Sequence, residues 1–519
     1  MLVKTYAGAV QGVDARTITI ETNVGGALGN TDSLGIYIVG LPDSAVRESL
    51  SRIEAAVKNS GFRTVRLKTI INLAPADIRK EGSAYDLPIA LGMMAGSGLI
   101  SSDGFDQYFI MGELSLDGSL RPIKGALPVS IQARKEKFKG FILPLANARE
   151  AAIVNDIEIY GVENLREAID VLGGFSDKKP LEVNTREEFS GKLDHYDLDF
   201  EDVKGQENIK RALELAAAGG HNVILIGPPG AGKTMLARRL PTILPPLTLQ
   251  EALDTTKIHS VSGLLPDNTA LVTHRPFRAP HHTISDVALV GGGSDPMPGE
   301  ISLAHNGVLF LDELPEFKRQ VLEVMRQPME ERRVTISRAK VSVDYPASFM
   351  LIASMNPCPC GYHNHPEKEC VCGPGVVKRY VAKISGPLLD RIDLHVEVTP
   401  VSYEQLTTTE RPKLNSAEIR ERVLQARAVQ AERFKGLQDV YCNAQMPSRM
   451  VHEVCKLTPA GLALLKTAME RLQLSARAYD RILKVARTAA DLSGSADIRI
   501  EDLAEAIHYR SLDREGWAG

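Results

Sequence analysis

The octapeptide Gly227-Pro228-Pro229-Gly230-Ala231-Gly232-Lys233-Thr234 has the spacing G-x-x-x-x-G-K-T. Its glycines let the backbone turn tightly enough to aim successive N–H groups at phosphate oxygens. Lys233 supplies a point charge for the β- and γ-phosphates, and the Thr234 hydroxyl is a ligand for Mg2+. The apolar run VILIG leads into the motif and MLARRL, a helical stretch, follows it. That strand–loop–helix order separates a phosphate loop from an ordinary glycine turn, so the segment predicts ATP with Mg2+.

Further along, GVLFLDE (Gly307 to Glu313) is a buried-strand pattern ending in two carboxylates. Consecutive acids at a strand end are often only a solvated edge. Downstream of a phosphate loop they fit a stricter role, with Asp312 in the Mg2+ shell and Glu313 polarising the attacking water. The strand pattern FMLIASMNP ends in Asn356, a side chain able to reach between the γ-phosphate and that water, or else a turn residue before Pro357. Arg391, in SGPLLDRIDLHV, follows a helical stretch, and Arg477, in SARAYDR, stands at a helix start. An arginine donated by a neighbouring subunit accelerates hydrolysis about 10³- to 10⁵-fold by neutralising transition-state charge. A surface salt bridge is the plainer reading of either.

Two further clusters carry chemistry. Cys358, Cys360, Cys370 and Cys372 form two Cys-x-Cys pairs with His363 and His365 between them. In a reducing compartment such clustering favours metal over disulfides. The four thiols would hold a structural Zn2+ in a tetrahedron, although zinc knuckles usually leave two or more residues between cysteines, and a reduced loop without metal stays open. The second cluster is EERRVTISRAKVSVDYP, two β-like runs suited to a hairpin. Between Arg332 and Lys340 it carries Arg332, Arg333, Arg338 and Lys340 and no acid. Such a strip would contact DNA phosphates without reading sequence, or be a solvated hairpin. The glycine-rich VGGGSDPMPG (Val290 to Gly299) is a second loop candidate, and a structural role fits His281 and His282 at least as well as ligand contact.

These residues need a scaffold, and the rest of the sequence supplies one. At 519 residues there is room for about three domains. With 61 Lys and Arg against 65 Asp and Glu, the net charge is −4, which excludes a uniformly basic coat but not a local basic pore. Leu87 to Ser102 is uncharged for 16 residues, fewer than the ~20 that span a bilayer, and reads as a buried helix. The opening MLVKTYAGAVQGVDA lacks the shape of a secretion signal, so the expected location is the cytoplasm, without membrane partners. Residues 1–172 alternate strand-like and helical runs, 173–200 turn polar like a linker, 201–400 hold the phosphate loop and its strands, and 401–519 show helical periodicity throughout. Cys442 and Cys455 read as core thiols.

The runs GLPDSAVRES, NLAPADIRKEGSAYDLPIALG, GPPGAGKT, FRAPHHTISD, ISLAHNGVLFLDELPEF, NPCPCG, SGPLLDRIDLHV and LSARAYDRILKVARTAADL together resemble the ComM/YifB family of magnesium-chelatase-like AAA+ ATPases. The resemblance spans nearly the whole chain. It implies an α/β architecture of a Lon-protease-like, ChlI-type α+β N-terminal domain, an AAA+ P-loop NTPase core and an all-helical C-terminal lid. It further implies that Asn356 is sensor 1, Arg391 the arginine finger and Arg477 sensor 2, in a homo-hexameric ring working as a DNA motor that promotes branch migration on single-stranded or branched DNA during recombination of incoming DNA. In ring helicases similar to minichromosome maintenance proteins a hairpin at the basic segment projects into the pore. The alternative is a protein-remodelling or metal-insertion motor like the I subunit of magnesium chelatase. In the N-terminal domain, Ala84 stands where proteases of the Lon type have the nucleophilic serine and Leu127 where they have the lysine, so nucleophilic catalysis by that dyad is not expected. Such a domain is expected to be a platform for the ring or its substrate.

Overall fold

The computed structural model describes residues 1–25, 35–63, 67–190, 196–266, 269–293, 296–337, 342–363, 365, 367–373, 375–401, 414–437, 440–472 and 474–510. The architecture is mixed α/β, and the chain packs as two units: 1–193 with 248–273, and 194–247 with 274–519.

In the first unit, seven strands order as Ile36–Val39, Thr69–Ala74, Asp14–Val24, Leu2–Gln11, Tyr108–Ile110, Gly140–Pro144 and Glu158–Val162. Asp14–Val24 largely alternates buried with less buried residues, as a strand with one covered face requires, while Leu2–Gln11 does so only at its start and is buried throughout Ala7 to Ala9. Gly140–Pro144 is buried at every position because it lies inside the parallel half. Asp86–Gly96, apolar on nearly every side, is a buried helix against this sheet. Leu127 is fully buried, and its N–H donates to Glu150 Oε1 at 2.9 Å. Glu150, pushed upward in pKa by burial, also accepts from the Ser260 hydroxyl on the helix Leu249–Ser262. That helix lies within the sequence interval 201–400 yet packs with the first unit. Residues 173–190 pack there too, through Lys178–Glu167 (2.8 Å) and Arg149–Glu188 (3.1 Å).

In the second unit the strands Phe277–Arg278, Val308–Leu311, Met350–Met355, Val223–Ile226 and Leu394–Glu397 form one parallel sheet in that order. Val223–Ile226 and Val308–Leu311 are uninterrupted apolar runs buried at every position, as central strands of a parallel sheet covered on both faces are. Since all strands run the same way, the residues following Ile226, Leu311 and Met355 emerge at a single sheet edge, where α/β folds bind ligands. The helices Ser416–Arg433, Ser448–Val454, Pro459–Arg471, Ala476–Leu492 and Ile500–His508 form the C-terminal lid region and share one apolar core with this sheet.

A buried polar knot ties lid to sheet. Asp393, at the start of the last strand, accepts from Arg481 of the lid helix at 2.7 Å and from the Asn222 N–H at 3.0 Å, and His221 Nδ1 stands 3.5 Å away. Burial alone would raise its pKa, but Arg481, with His221 and Lys484 behind it, holds the carboxyl well below the usual range. Burial pushes the His221 pKa down. A carboxyl depressed by folding contributes stability above its unfolded pKa of about 3.9 and loses it as pH falls through the folded value. A histidine kept neutral by burial begins to oppose folding once pH drops below about 6.5. Thermal stability of this unit should therefore decline in acid first below the histidine range and again below the carboxylate range. Asp393→Asn should cost about 3 kcal/mol by leaving Arg481 without its buried partner, read as a lower melting midpoint at neutral pH. An unchanged midpoint would show that the knot is not a tie.

Candidate functional site

The phosphate loop connects the fully buried strand Val223–Ile226 to the helix Lys233–Arg239. Gly232 has φ +83°, a left-handed conformation that turns the chain into the helix and that residues with a Cβ rarely adopt. Lys233 is nearly buried, and its ammonium donates to Gly227 O at 2.7 Å, Pro228 O at 3.0 Å and Asn356 Oδ1 at 3.1 Å. Desolvation lowers its pKa, opposed by the charges of Asp312 and Glu313. A cation held at the mouth of the loop by carbonyl oxygens is poised to take phosphate oxygens in their place.

Asp312 follows the strand Val308–Leu311, one position past the pairing of Leu311 with Ala353. Its Oδ2 accepts from the Thr234 hydroxyl at 2.7 Å, and its Oδ1 accepts from the hydroxyl of Ser354. Adjacent oxygens around Mg2+ lie about 3 Å apart when each bond is about 2.1 Å. The Thr234–Asp312 pair fits that spacing, and hard oxygen donors are the kind Mg2+ prefers. Ser354 was not singled out in the sequence. Its signal is the two-residue strand period, which puts it on the same side as Asn356.

Glu313 has φ +54° and donates its N–H to Asp312 Oδ1 at 3.1 Å. This turn sends its half-exposed carboxylate away from Asp312, to 3.5 Å from His282 Nδ1. His282 thus stands beside Glu313, in a stack with His281 whose ring centres are 4.1 Å apart. Glu313 and Asn356 line one cavity together with Pro359, Arg379, Tyr380 and Lys383.

The two arginines are placed otherwise. Arg391 is 6% exposed, forms an ion pair with Glu330 and donates to Pro387 O, while its Nε has no hydrogen-bond partner among the described residues. Arg477 is exposed in the first turn of Ala476–Leu492, with Nη1 3.8 Å from Asp390. No contact joins either arginine to Lys233 or Glu313 among the described residues.

The strands Arg333–Ser337 and Ser342–Pro346 form an antiparallel hairpin. Val334, Ile336, Val343 and Tyr345 point inward, and Arg333, Thr335 and Asp344 outward. Arg332, at φ +55°, turns the chain from helix into hairpin, and Arg333 lies 3.6 Å from Glu331. Arg338 and Lys340 lie outside the described residues, as does part of Val290 to Gly299.

The four cysteine sulfurs lie within 4.8 Å of one another. Cys358 Sγ is 3.3 Å from Cys360 and 3.7 Å from Cys370, and Cys360 is 3.6 Å from Cys370. A tetrahedron with Zn–S bonds of about 2.3 Å has edges of about 3.8 Å, so these thiols could hold a metal.

Comparison with known proteins adds the lineage. Residues 199–406 match the family described as magnesium chelatase, subunit ChlI, residues 26–147 the family subunit ChlI of Mg-chelatase, and residues 413–510 its C-terminal family. The chain is 42% identical to Competence protein ComM of Haemophilus influenzae, covering 99% of this chain and 98% of that protein. The chain belongs to the ComM/YifB family of magnesium-chelatase-like AAA+ ATPases. A second member, YifB of Escherichia coli K12, is also 42% identical, over 98% of this chain and 97% of its own. Lon protease 2 of Bacillus subtilis is 32% identical over 161 residues, 28% of this chain and 27% of the protease. AAA+ ATPases of the magnesium-chelatase kind use ATP and Mg2+, which suits a family member with Lys233, Thr234 and Asp312 so arranged. Among the described residues no helix is long and apolar enough to cross a membrane.

Proposed function

We propose that this protein is a Mg2+-dependent ATP hydrolase that closes into a homo-hexameric ring and drives DNA translocation or branch migration during recombination of incoming DNA, in the cytoplasm and without a membrane partner. The observation that carries the reading is the convergence of Lys233, Thr234, Asp312 and Asn356 at one sheet edge. Near-full-length identity to a protein named for competence supports the DNA part.

In this mechanism residues Gly227 to Thr234 wrap the phosphates and Lys233 exchanges its carbonyl partners for β- and γ-phosphate oxygens. Thr234 and Asp312 would hold Mg2+, which would supply charge neutralisation to the phosphates. Asn356 orients a water on the γ-phosphorus, and Glu313 accepts that water's proton as its oxygen bonds to phosphorus and the bond to the bridging oxygen of ADP breaks. Arg391 serves the neighbouring subunit's nucleotide, which requires it to leave Glu330, and Arg477 reaches the γ-phosphate from the lid after leaving Asp390. The thiolates of Cys358, Cys360, Cys370 and Cys372 hold a structural Zn2+. The domain with Ala84 and Leu127 at the protease positions serves as a platform.

Arg332, Arg333, Arg338 and Lys340 on the hairpin grip phosphates in the pore, so binding is independent of sequence and weakened by salt. Replacing Arg338 and Lys340 together by Ala should weaken DNA binding and reduce the slope of log affinity against log salt by up to about 2 per engaged protomer. Unchanged affinity and slope would move the contact elsewhere. The chelatase descriptions of all three matching families favour a second reading, a metal-insertion or protein-remodelling motor. Under it ATP turnover would ignore DNA.

A further inference from the structure

The cysteine loop touches the nucleotide machinery at three places. It begins directly after Asn356, whose Oδ1 accepts from Lys233. Pro359, between the first two cysteines, lines the cavity shared by Glu313 and Asn356. Gly361 packs on Pro229 of the phosphate loop, at φ +86°, so closely that a Cβ there would stand 2.6 Å from Pro229 Cδ. That last contact is backbone against a ring, with no flexible side chain to absorb movement.

The loop is anchored at its start, where Cys358 is fully buried, but has no regular structure to hold the rest of it in place. Among the described residues of 357–373 there is no helix or strand, and Val371 is 83% exposed. Ordering such a segment costs about 1–2 kcal/mol per residue in backbone entropy alone. A metal bridging the two Cys-x-Cys pairs would close the loop: the Cys358, Cys360 and Cys370 sulfurs, 3.3 to 3.7 Å apart, are close to the ~3.8 Å edge of a zinc–thiolate tetrahedron, and the Cys372 sulfur lies within 4.8 Å of them. Displacing the loop would move Pro229 and Asn356 together. Lys233 is held by Pro228 O, next to the first of these, and by the second itself.

We propose that Zn2+ in the four-thiolate loop is a positioning element of the ATP site, fixing Pro229 and Asn356 so that metal occupancy sets nucleotide affinity. Each thiol ligates as thiolate and releases its proton to solvent. The inference rests on the nucleotide and zinc readings above and not on the DNA reading.

The test uses the full-length protein, with metal content by elemental analysis and affinity for a fluorescent ATP analogue as separate readouts. The wild type should carry one zinc per chain. Cys370→Ser combined with Cys372→Ser should lose zinc and weaken analogue binding about tenfold or more, the scale on which small displacements of binding groups act. Gly361→Ala keeps all four cysteines and should retain zinc while weakening nucleotide binding, which separates positioning from loss of the loop's fold. Absence of stoichiometric zinc from the wild type would overturn the proposal. So would wild-type nucleotide affinity in Gly361→Ala, or in the double cysteine variant after zinc loss. A wild type that carries zinc but binds no ATP analogue would instead sink the underlying nucleotide reading, and turnover indifferent to DNA would leave this proposal standing.

Discussion

Glu313→Gln is expected to bind ATP as the wild type does and to hydrolyse it roughly 10²- to 10⁴-fold more slowly, the span that a positioned general base contributes. The asymmetry follows from geometry. Thr234 and Lys233 are bonded to Asp312 and Asn356, whereas the Glu313 carboxylate turns away at φ +54° and stands half-exposed beside His282. Removing its charge leaves the phosphate-binding groups in place and takes away only the group that receives the water's proton. Single-turnover hydrolysis next to equilibrium ATP binding checks both halves. Wild-type turnover in Glu313→Gln would remove Glu313 from the chemistry and direct attention to another member of the cavity.

Lys233→Ala is expected to fail at the earlier step. The ammonium is nearly buried and already partly stripped of water, so phosphate oxygens would meet a donor that has little hydration left to lose. Hydrogen bonds to a charged group contribute about 1.5–3 kcal/mol each, and loss of two would weaken ATP binding by roughly a hundredfold or more. The fold should survive, because Pro228 and Asn356, two of the three acceptors, are only partly buried and water can replace the missing donor there. Titration with an ATP analogue, alongside a melting curve, distinguishes lost binding from lost folding. Retained affinity would mean that the loop's N–H groups alone carry the nucleotide.

The phosphate loop was legible in the sequence because its chemistry is local: a buried strand, a glycine turn and a lysine at a fixed offset occupy adjacent residues. Asp312 and Asn356 were legible for a related reason, since parallel strands deliver their following residues to the same edge whatever lies between. Ser354 escaped notice because a serine inside an apolar strand looks like a packing residue until the neighbouring strand's register sets it opposite Asp312. The pairing of Arg391 with Glu330 was equally hidden, because no local pattern links two residues so far apart on separate elements. Helical periodicity announced the lid, yet nothing in it foretold that Arg481 would reach Asp393. The helix Leu249–Ser262 shows the same gap: its sequence neighbours belong to one unit, while Ser260 bonds to Glu150 in the other's interior. Residue identity fixes local conformation, and partner choice over long range depends on the assembled surface.

The steady-state ATP hydrolysis rate of the purified full-length protein, measured with and without forked DNA at low salt, tests the DNA motor most directly. A clear rise with DNA is expected, which Glu313→Gln abolishes and Arg338→Ala with Lys340→Ala blunts. A rate that is the same with and without DNA, in a preparation that binds ATP, would contradict it.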